Sequence, residues 1–256
     1  MSEQQQPAGD AAAGNNLRLI LGKAVHNPKV ALWYAYKTVK SILSRKKGVL
    51  VYLGMHRGFS FFPIFRNYRA CYCFEANPVL YEALKKRYGK YPHVHLFNLA
   101  VASQDGQVRF NISSNDGESS SIGEFSADWY GAKLGQVKMV KTITVPCVNL
   151  LNFCRQHNID HIDDYISDIQ GMDLEVLKTM KPYIEQKKLG SITCEVAKDE
   201  TGSAYQGIAD NSEAAFGKLL DANYKMVAKG WTVLREGHFD PIPEGQWEMD
   251  CRWRAR

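Results

Sequence analysis

Residues 48–58 read GVLVYLGMHRG. An apolar run from Val49 to Leu53 goes straight into Gly54. A short unbroken run of this kind, bounded by glycines, reads as a fully buried strand. Glycine at 54 and again at 58 lets the backbone turn sharply and approach a ligand closely. A buried strand feeding a glycine turn is how many nucleotide-type α/β domains begin, although G-x-x-x-G alone also serves as a plain turn.

The segments that follow keep the same rhythm. ACYCFEAN (70–77) reads as a second strand, and NPVLYEALKKRYGKY (77–91) as a helix with Asn77 as a cap and Pro78 in its first turn. HVHLFNLAVAS (93–103) reads as one third strand. GQVRFNIS and VKTITVPCVNL are extended segments around the polar loop SSNDGESSSIGEFSADW. DDYISDIQ is a fourth core strand, MDLEVLKTMKPYI a helix and LGSITCEVA a fifth strand. NSEAAFGKLLDANY is a helix capped by Asn211 or Ser212, and KMVAKG and EMDCRWRA are closing extended segments. Strands alternating with helices imply an α/β fold with a mostly parallel sheet.

Upstream, residues 1–16 are polar and low in complexity, and are expected to lack fixed structure. Residues 17–47 form a helical segment in which Leu32, Ala35, Tyr36, Val39, Ile42 and Leu43 recur at helical spacing. That helix is expected to pack on the main domain, residues 48–256. A peripheral membrane contact, from basic residues flanking Trp33 and Tyr34, and a homodimer contact are two further readings.

The chain has 256 residues, 45% hydrophobic and 23% charged, with a formal net charge of +5. These values suit one sizeable globular domain, and the charge is too mild to indicate a nucleic-acid partner. Six cysteines, none in a C-x-x-C pair, read as reduced core thiols of a cytoplasmic protein. His93 and His95 share a face but have no nearby acid to complete a ligand set, so no metal site is expected.

Ligands of open α/β sheets lie beyond the carboxyl ends of the strands. Glu75 ends the second strand, 21 residues after Gly54, where a carboxylate suits a ribose diol. Asp168 ends the fourth strand, where it either orients or deprotonates a substrate hydroxyl or holds a loop. Glu195 and His56 are the other candidate bases.

Taken together and in order, VLVYLGMHRGFSF, CYCFEANPVLYEALKKR, VHLFNLAVASQDGQVRF, SSSIGE, DDYISDIQGMDLEVLKTM and SITCEVA resemble the FkbM family of methyltransferases. The resemblance covers roughly Gly48 to Gly230. It implies a Rossmann-like class I methyltransferase sheet of seven strands, the last antiparallel. It also implies S-adenosyl-L-methionine as cofactor and O-methylation of a sugar, glycan or secondary metabolite, a small-molecule or carbohydrate acceptor with no nucleic acid. By the match, Gly54 and Gly58 line the methionine part of the cofactor and Glu75 holds its ribose. The segment Leu99-Ala100 lies near the adenine, Ser121 or its neighbours close over the cofactor, and Asp168 stands where cofactor meets acceptor. The cofactor loop includes His56.

This chain departs from the family pattern at several acids. Tyr52 stands where Asp is usual, Met55-His56 where Ala-Asn is usual, Gln170 where Glu is usual, and Leu150-Leu151 where Leu-Asp is usual. The loss of negative charge at Tyr52 and Gln170 suggests an acidic acceptor. A methyltransferase-fold module without turnover and an NAD-linked oxidoreductase are the alternatives.

Overall fold

A computed structural model describes residues 28–43, 46–208, 210–231 and 240–256. The polar tail 1–16 and the segment 17–27 lie outside the described residues.

Seven strands form the main sheet, in the order β11-β12-β9-β8-β1-β2-β3. They are β1 (Lys47–Leu53), β2 (Tyr68–Phe74), β3 (Val94–Phe97), β8 (Ile162–Ser167), β9 (Leu189–Ala197), β11 (Tyr224–Gly230) and β12 (Glu248–Ala255). Neighbours from β3 through β9 run parallel. β12 lies between β9 and β11 and is antiparallel to both, as the resemblance implies. From β1 the chain builds outward to β2 and β3, then returns to lay β8 on the other side of β1. Strand order therefore reverses between β1 and β8, and the crevice at such a reversal is where α/β sheets bind ligands.

The core explains the strand assignments. Leu50, Val51 and Leu53 of β1 are fully buried, on both faces of the sheet. Their unbroken apolar run is what a covered parallel strand requires. Side-chain caps fix three helices at their starts. Asn77 accepts from the amide of Val79 (3.0 Å) at the helix Pro78–Tyr88. Asn149 accepts from Asn152 (3.1 Å) at Leu150–Gln156, and Ser212 from Ala215 (3.3 Å) at Glu213–Leu220. Asn211 is not that cap; its side chain accepts from the amide of Leu174 instead (2.9 Å).

Three sequence expectations need correction. The third strand is two strands: β3 stays in the main sheet, while β4 (Ala100–Ala102) joins a second sheet of order β4-β7-β5. In that sheet β5 is Gly106–Ser113 and β7 is Met139–Asn149. The helix after β8 breaks in two, Asp173–Thr179 and Lys181–Glu185, because Pro182 has no amide hydrogen to continue the ladder. Finally, the helix Pro28–Leu43 does not bury its apolar stripe. It rests near the turn Phe65–Asn67, with Ser41 buried and Leu32, Tyr36, Val39, Ile42 and Leu43 exposed. The polar loop also carries a short strand, β6 (Glu124–Phe125), which pairs with β10 (Tyr205–Gln206).

Candidate active site

β1 and β8 end side by side, and their ends carry Gly54 and Asp168. Gly54 has φ +72°, and a Cβ there would sit 1.8 Å from the Asp168 carbonyl oxygen. The amides of Gly54 and Met55 donate to the Phe74 carbonyl at 3.1 and 3.2 Å, and the amide of Asp168 donates to Leu53 (3.2 Å). Only a residue without a side chain lets these strand ends close so tightly.

That turn aims one backbone amide at Glu75, and the segment after β2 supplies a second. His56 N–H donates to Glu75 Oε2 (2.7 Å), and Asn77 N–H to Oε1 (2.8 Å). His56 needs φ +49° to do this, so it enters the site through its backbone. Its ring Nε2 lies 3.1 Å from the Asp116 carbonyl oxygen. Burial pushes the Glu75 carboxyl up to about 7; the two amides oppose the shift and the nearby Asp168 adds to it. Each carboxylate oxygen has one lone pair engaged by an amide and another left to accept from a ligand.

Two cavities meet at this point. The first has Glu75 at its polar end and an apolar wall that includes Leu80, Leu99, Phe110 and Met172. Ala100 lines it too. The second is lined by aromatic and polar groups, among them Phe59, Trp129, Trp231, Glu195 and Glu248. Gly54, His56, Asp168 and Gln170 border both.

Two predicted residues lie elsewhere. Gly58 has φ +70°, and a Cβ there would meet Leu84 and Tyr88, so its face is turned to the helix Pro78–Tyr88 and it borders neither cavity. Ser121 is buried; its hydroxyl donates to the Gln170 carbonyl (2.7 Å) and accepts from Gly123 N–H (3.0 Å). Its neighbours Ser120 and Ile122, the other members of that expectation, do line the first cavity. The polar loop does fold over the cofactor turn. Arg57 pairs with Asp116 at 3.0 Å, and Gly117 and Glu118 complete the roof.

At the seam, Gln170 Nε2 donates to Asp168 Oδ1 (2.6 Å) and to Glu195 Oε2 (2.8 Å). The Tyr205 hydroxyl donates to Gln170 Oε1. Gln170 itself adopts φ +54°. The neutral amide thus holds two carboxylates in place where a glutamate would add a third charge. Glu248 stands in the same cavity, its carboxyl pushed up to about 8 by burial and then by Asp168, Asp173 and Asp250. This floor is acidic, which reverses the expectation of an acidic acceptor, because like charges would repel it. Tyr52, in place of the usual acid, is buried and packs edge-on against Phe61.

The site fits S-adenosylmethionine in chemical type. A carboxylate pinned by two amides faces a cavity with an apolar wall, as a ribose diol beside an adenine requires.

Residues 53–225 match the family model for the methyltransferase FkbM domain. No curated protein matches the chain. The fold is similar to that of the N-methyltransferase NodS from Bradyrhizobium japonicum WM9, with 11% identity, TM-score 0.44, 90% of this chain and 97% of that one covered. The same enzyme in complex with S-adenosyl-l-homocysteine gives 11% identity and TM-score 0.42, with 91% and 90% covered. An rRNA methylase from Streptococcus thermophilus gives 9% identity and TM-score 0.42, with 88% and 95% covered.

Proposed function

The chain belongs to the FkbM methyltransferase family, and from that premise we propose that it methylates a hydroxyl oxygen of a sugar, glycan or polyhydroxylated secondary metabolite. The methyl donor is S-adenosylmethionine, which supplies an activated methyl carbon on a sulfonium sulfur. Glu75 accepts from the ribose hydroxyls, and Leu99, Phe110 and Met172 flank the adenine.

The carrying observation is the position of Asp168. It borders both cavities at the β1/β8 reversal, and the Gln170 amide fixes its carboxylate at 2.6 Å. A hydroxyl is a weak nucleophile at neutral pH, so a positioned base beside it accelerates transfer. Asp168 takes the proton that the acceptor hydroxyl loses. Gln170 keeps Asp168 turned toward the acceptor, and Trp129, Trp231 and the polar lining supply stacking and hydrogen-bonding surface for a polyol.

The test is calorimetric titration with S-adenosylhomocysteine, with NAD as control, followed by a screen of sugar acceptors read by product mass and by NMR of the new methyl group. Asp168→Asn is expected to lower turnover by at least about a hundredfold while cofactor affinity stays within about threefold. Binding of S-adenosylhomocysteine without turnover on any acceptor would favour a non-catalytic module. Binding of NAD alone would remove the methyltransferase reading.

A further inference from the structure

The helix Pro28–Leu43 presents its apolar face outward. Leu32 is 72% exposed, Tyr36 60%, Val39 56% and Leu43 80%. At 100° per residue these four share one narrow stripe. The buried Ser41 lies on the opposite side. Lys40, also exposed, flanks the stripe, and the helix sequence carries two further lysines, at 29 and 37.

Between Asp10 and Glu75 the sequence carries eleven lysines and arginines and not one aspartate or glutamate. With a whole-chain net charge of +5, everything outside that stretch is net negative. Of the described cations, Lys29, Lys37 and Lys40 belong to this helix, Lys46 and Lys47 lie at the start of β1, and Arg66 and Arg69 lie in the turn Phe65–Asn67 and at the start of β2, whereas Arg57 sits at the other end of β1.

We infer that the helix Pro28–Leu43 lies in the plane of an anionic lipid bilayer, with its apolar stripe among the acyl chains and its lysines at the headgroups. An interfacial helix needs this pairing of an apolar face with a basic flank. A nucleic acid would satisfy the lysines but leave the leucines and valine in water. An antiparallel two-fold contact with a second copy would set each basic flank near its own image. No described helix is long and apolar enough to cross a membrane, so the mode is surface docking. The turn Phe65–Asn67 precedes β2 at its amino end, whereas the cavities lie at the carboxyl ends of the strands. Docking therefore leaves the cleft facing the aqueous side, and cofactor binding does not depend on it.

The full chain would be sedimented with vesicles of phosphatidylcholine alone and of phosphatidylcholine with phosphatidylserine. Binding is expected with the anionic vesicles only, and to weaken as salt rises. The triple variant Leu32→Gln, Val39→Gln, Leu43→Gln is expected to bind at least about tenfold more weakly. Its affinity for S-adenosylhomocysteine, or its melting temperature if that ligand does not bind the parent, is expected to be unchanged. Lys29→Gln, Lys37→Gln, Lys40→Gln is expected to lose the preference for anionic lipid. Absence of vesicle binding, or binding that the apolar variant retains, overturns the inference. So does a parent dimer that the apolar variant converts to monomer in light scattering, or tight binding of single-stranded RNA in place of vesicles.

Discussion

The side-chain amide of Gln170 lies 2.6 Å from the Asp168 carboxylate and donates to it. The same nitrogen reaches Glu195. One neutral group thus joins the ends of two neighbouring strands, and it stands where the family more often has an acid.

Replacing Gln170 by Glu would set three carboxyl groups in mutual contact. One of them would then hold a proton at neutral pH, because adjacent carboxylates raise each other's pKa. The Gln170→Glu variant is expected to lose about tenfold in kcat near neutrality. Its rate should recover as pH rises and the shared proton leaves. A pH profile of kcat checks this, and a profile parallel to that of the parent would show that Gln170 does not position the base.

Glu75 gives the cofactor step a pH dependence of its own. Its carboxyl is pushed up to about 7, so below that pH the free protein holds it protonated. A protonated carboxyl has lost an acceptor site for the ribose. Affinity for S-adenosylhomocysteine is expected to fall as pH drops below about 7, by up to tenfold per pH unit. Calorimetry in buffers of different ionisation enthalpy should register proton release on binding. Glu75→Ala should weaken binding by at least about tenfold, the loss of a charged hydrogen-bonding group. Flat affinity across this range would separate Glu75 from the cofactor.

Glu248 affects stability in the opposite sense to a salt-bridged acid. Its ordinary value is 4.5 and its folded value about 8. Between those limits the folded state binds the proton that the unfolded state has released, so stability falls as pH rises through the window. Glu248→Gln removes the titration and is expected to flatten the curve. Its melting temperature should exceed that of the parent at pH near 8, by about 2–4 °C for each kcal/mol recovered. The advantage should vanish near pH 4. Thermal melts across pH measure it, and a variant that is less stable at every pH would contradict the assignment.

The parts legible in the sequence are those whose signal is local. β1 and β2 are apolar runs ended by Gly54 and Glu75, and burial on both faces is what such runs encode. The division of β3 from β4 was not legible. Phe97-Asn98-Leu99-Ala100 keeps an extended, largely apolar pattern, but the Asn98 side chain donates to the carbonyls of Glu75 and Ala76 at 2.8 and 3.2 Å and turns the chain into another sheet. The break before Lys181 was signalled by Pro182. The spacing at the amino end showed which face of the helix Pro28–Leu43 is apolar, but periodicity says nothing about whether that face is covered.

The site divides the same way. Glu75 and Asp168 announce themselves as acids at strand ends. Gln170 stands out only as a departure, because its partner Glu195 is 25 residues away and arrives through the β8–β9 pairing. Glu248 is farther still along the chain and arrives because Asp250 pairs with Glu195 across β12 and β9. No local pattern carries that register.

The place of β12 also bears on how the chain is made. β12 separates β9 from β11, so β11 lacks its native neighbour in the sheet until residues 248–255 emerge. On a growing chain, β1, β2, β3, β8 and β9 already have neighbours while β9 still offers one open, apolar edge. Unpaired strand edges of this sort attract other chains. The protein should therefore be most prone to aggregation before residues 248–255 emerge, and a nascent chain stalled before Glu248 should recruit chaperones that one extended past Ala255 does not.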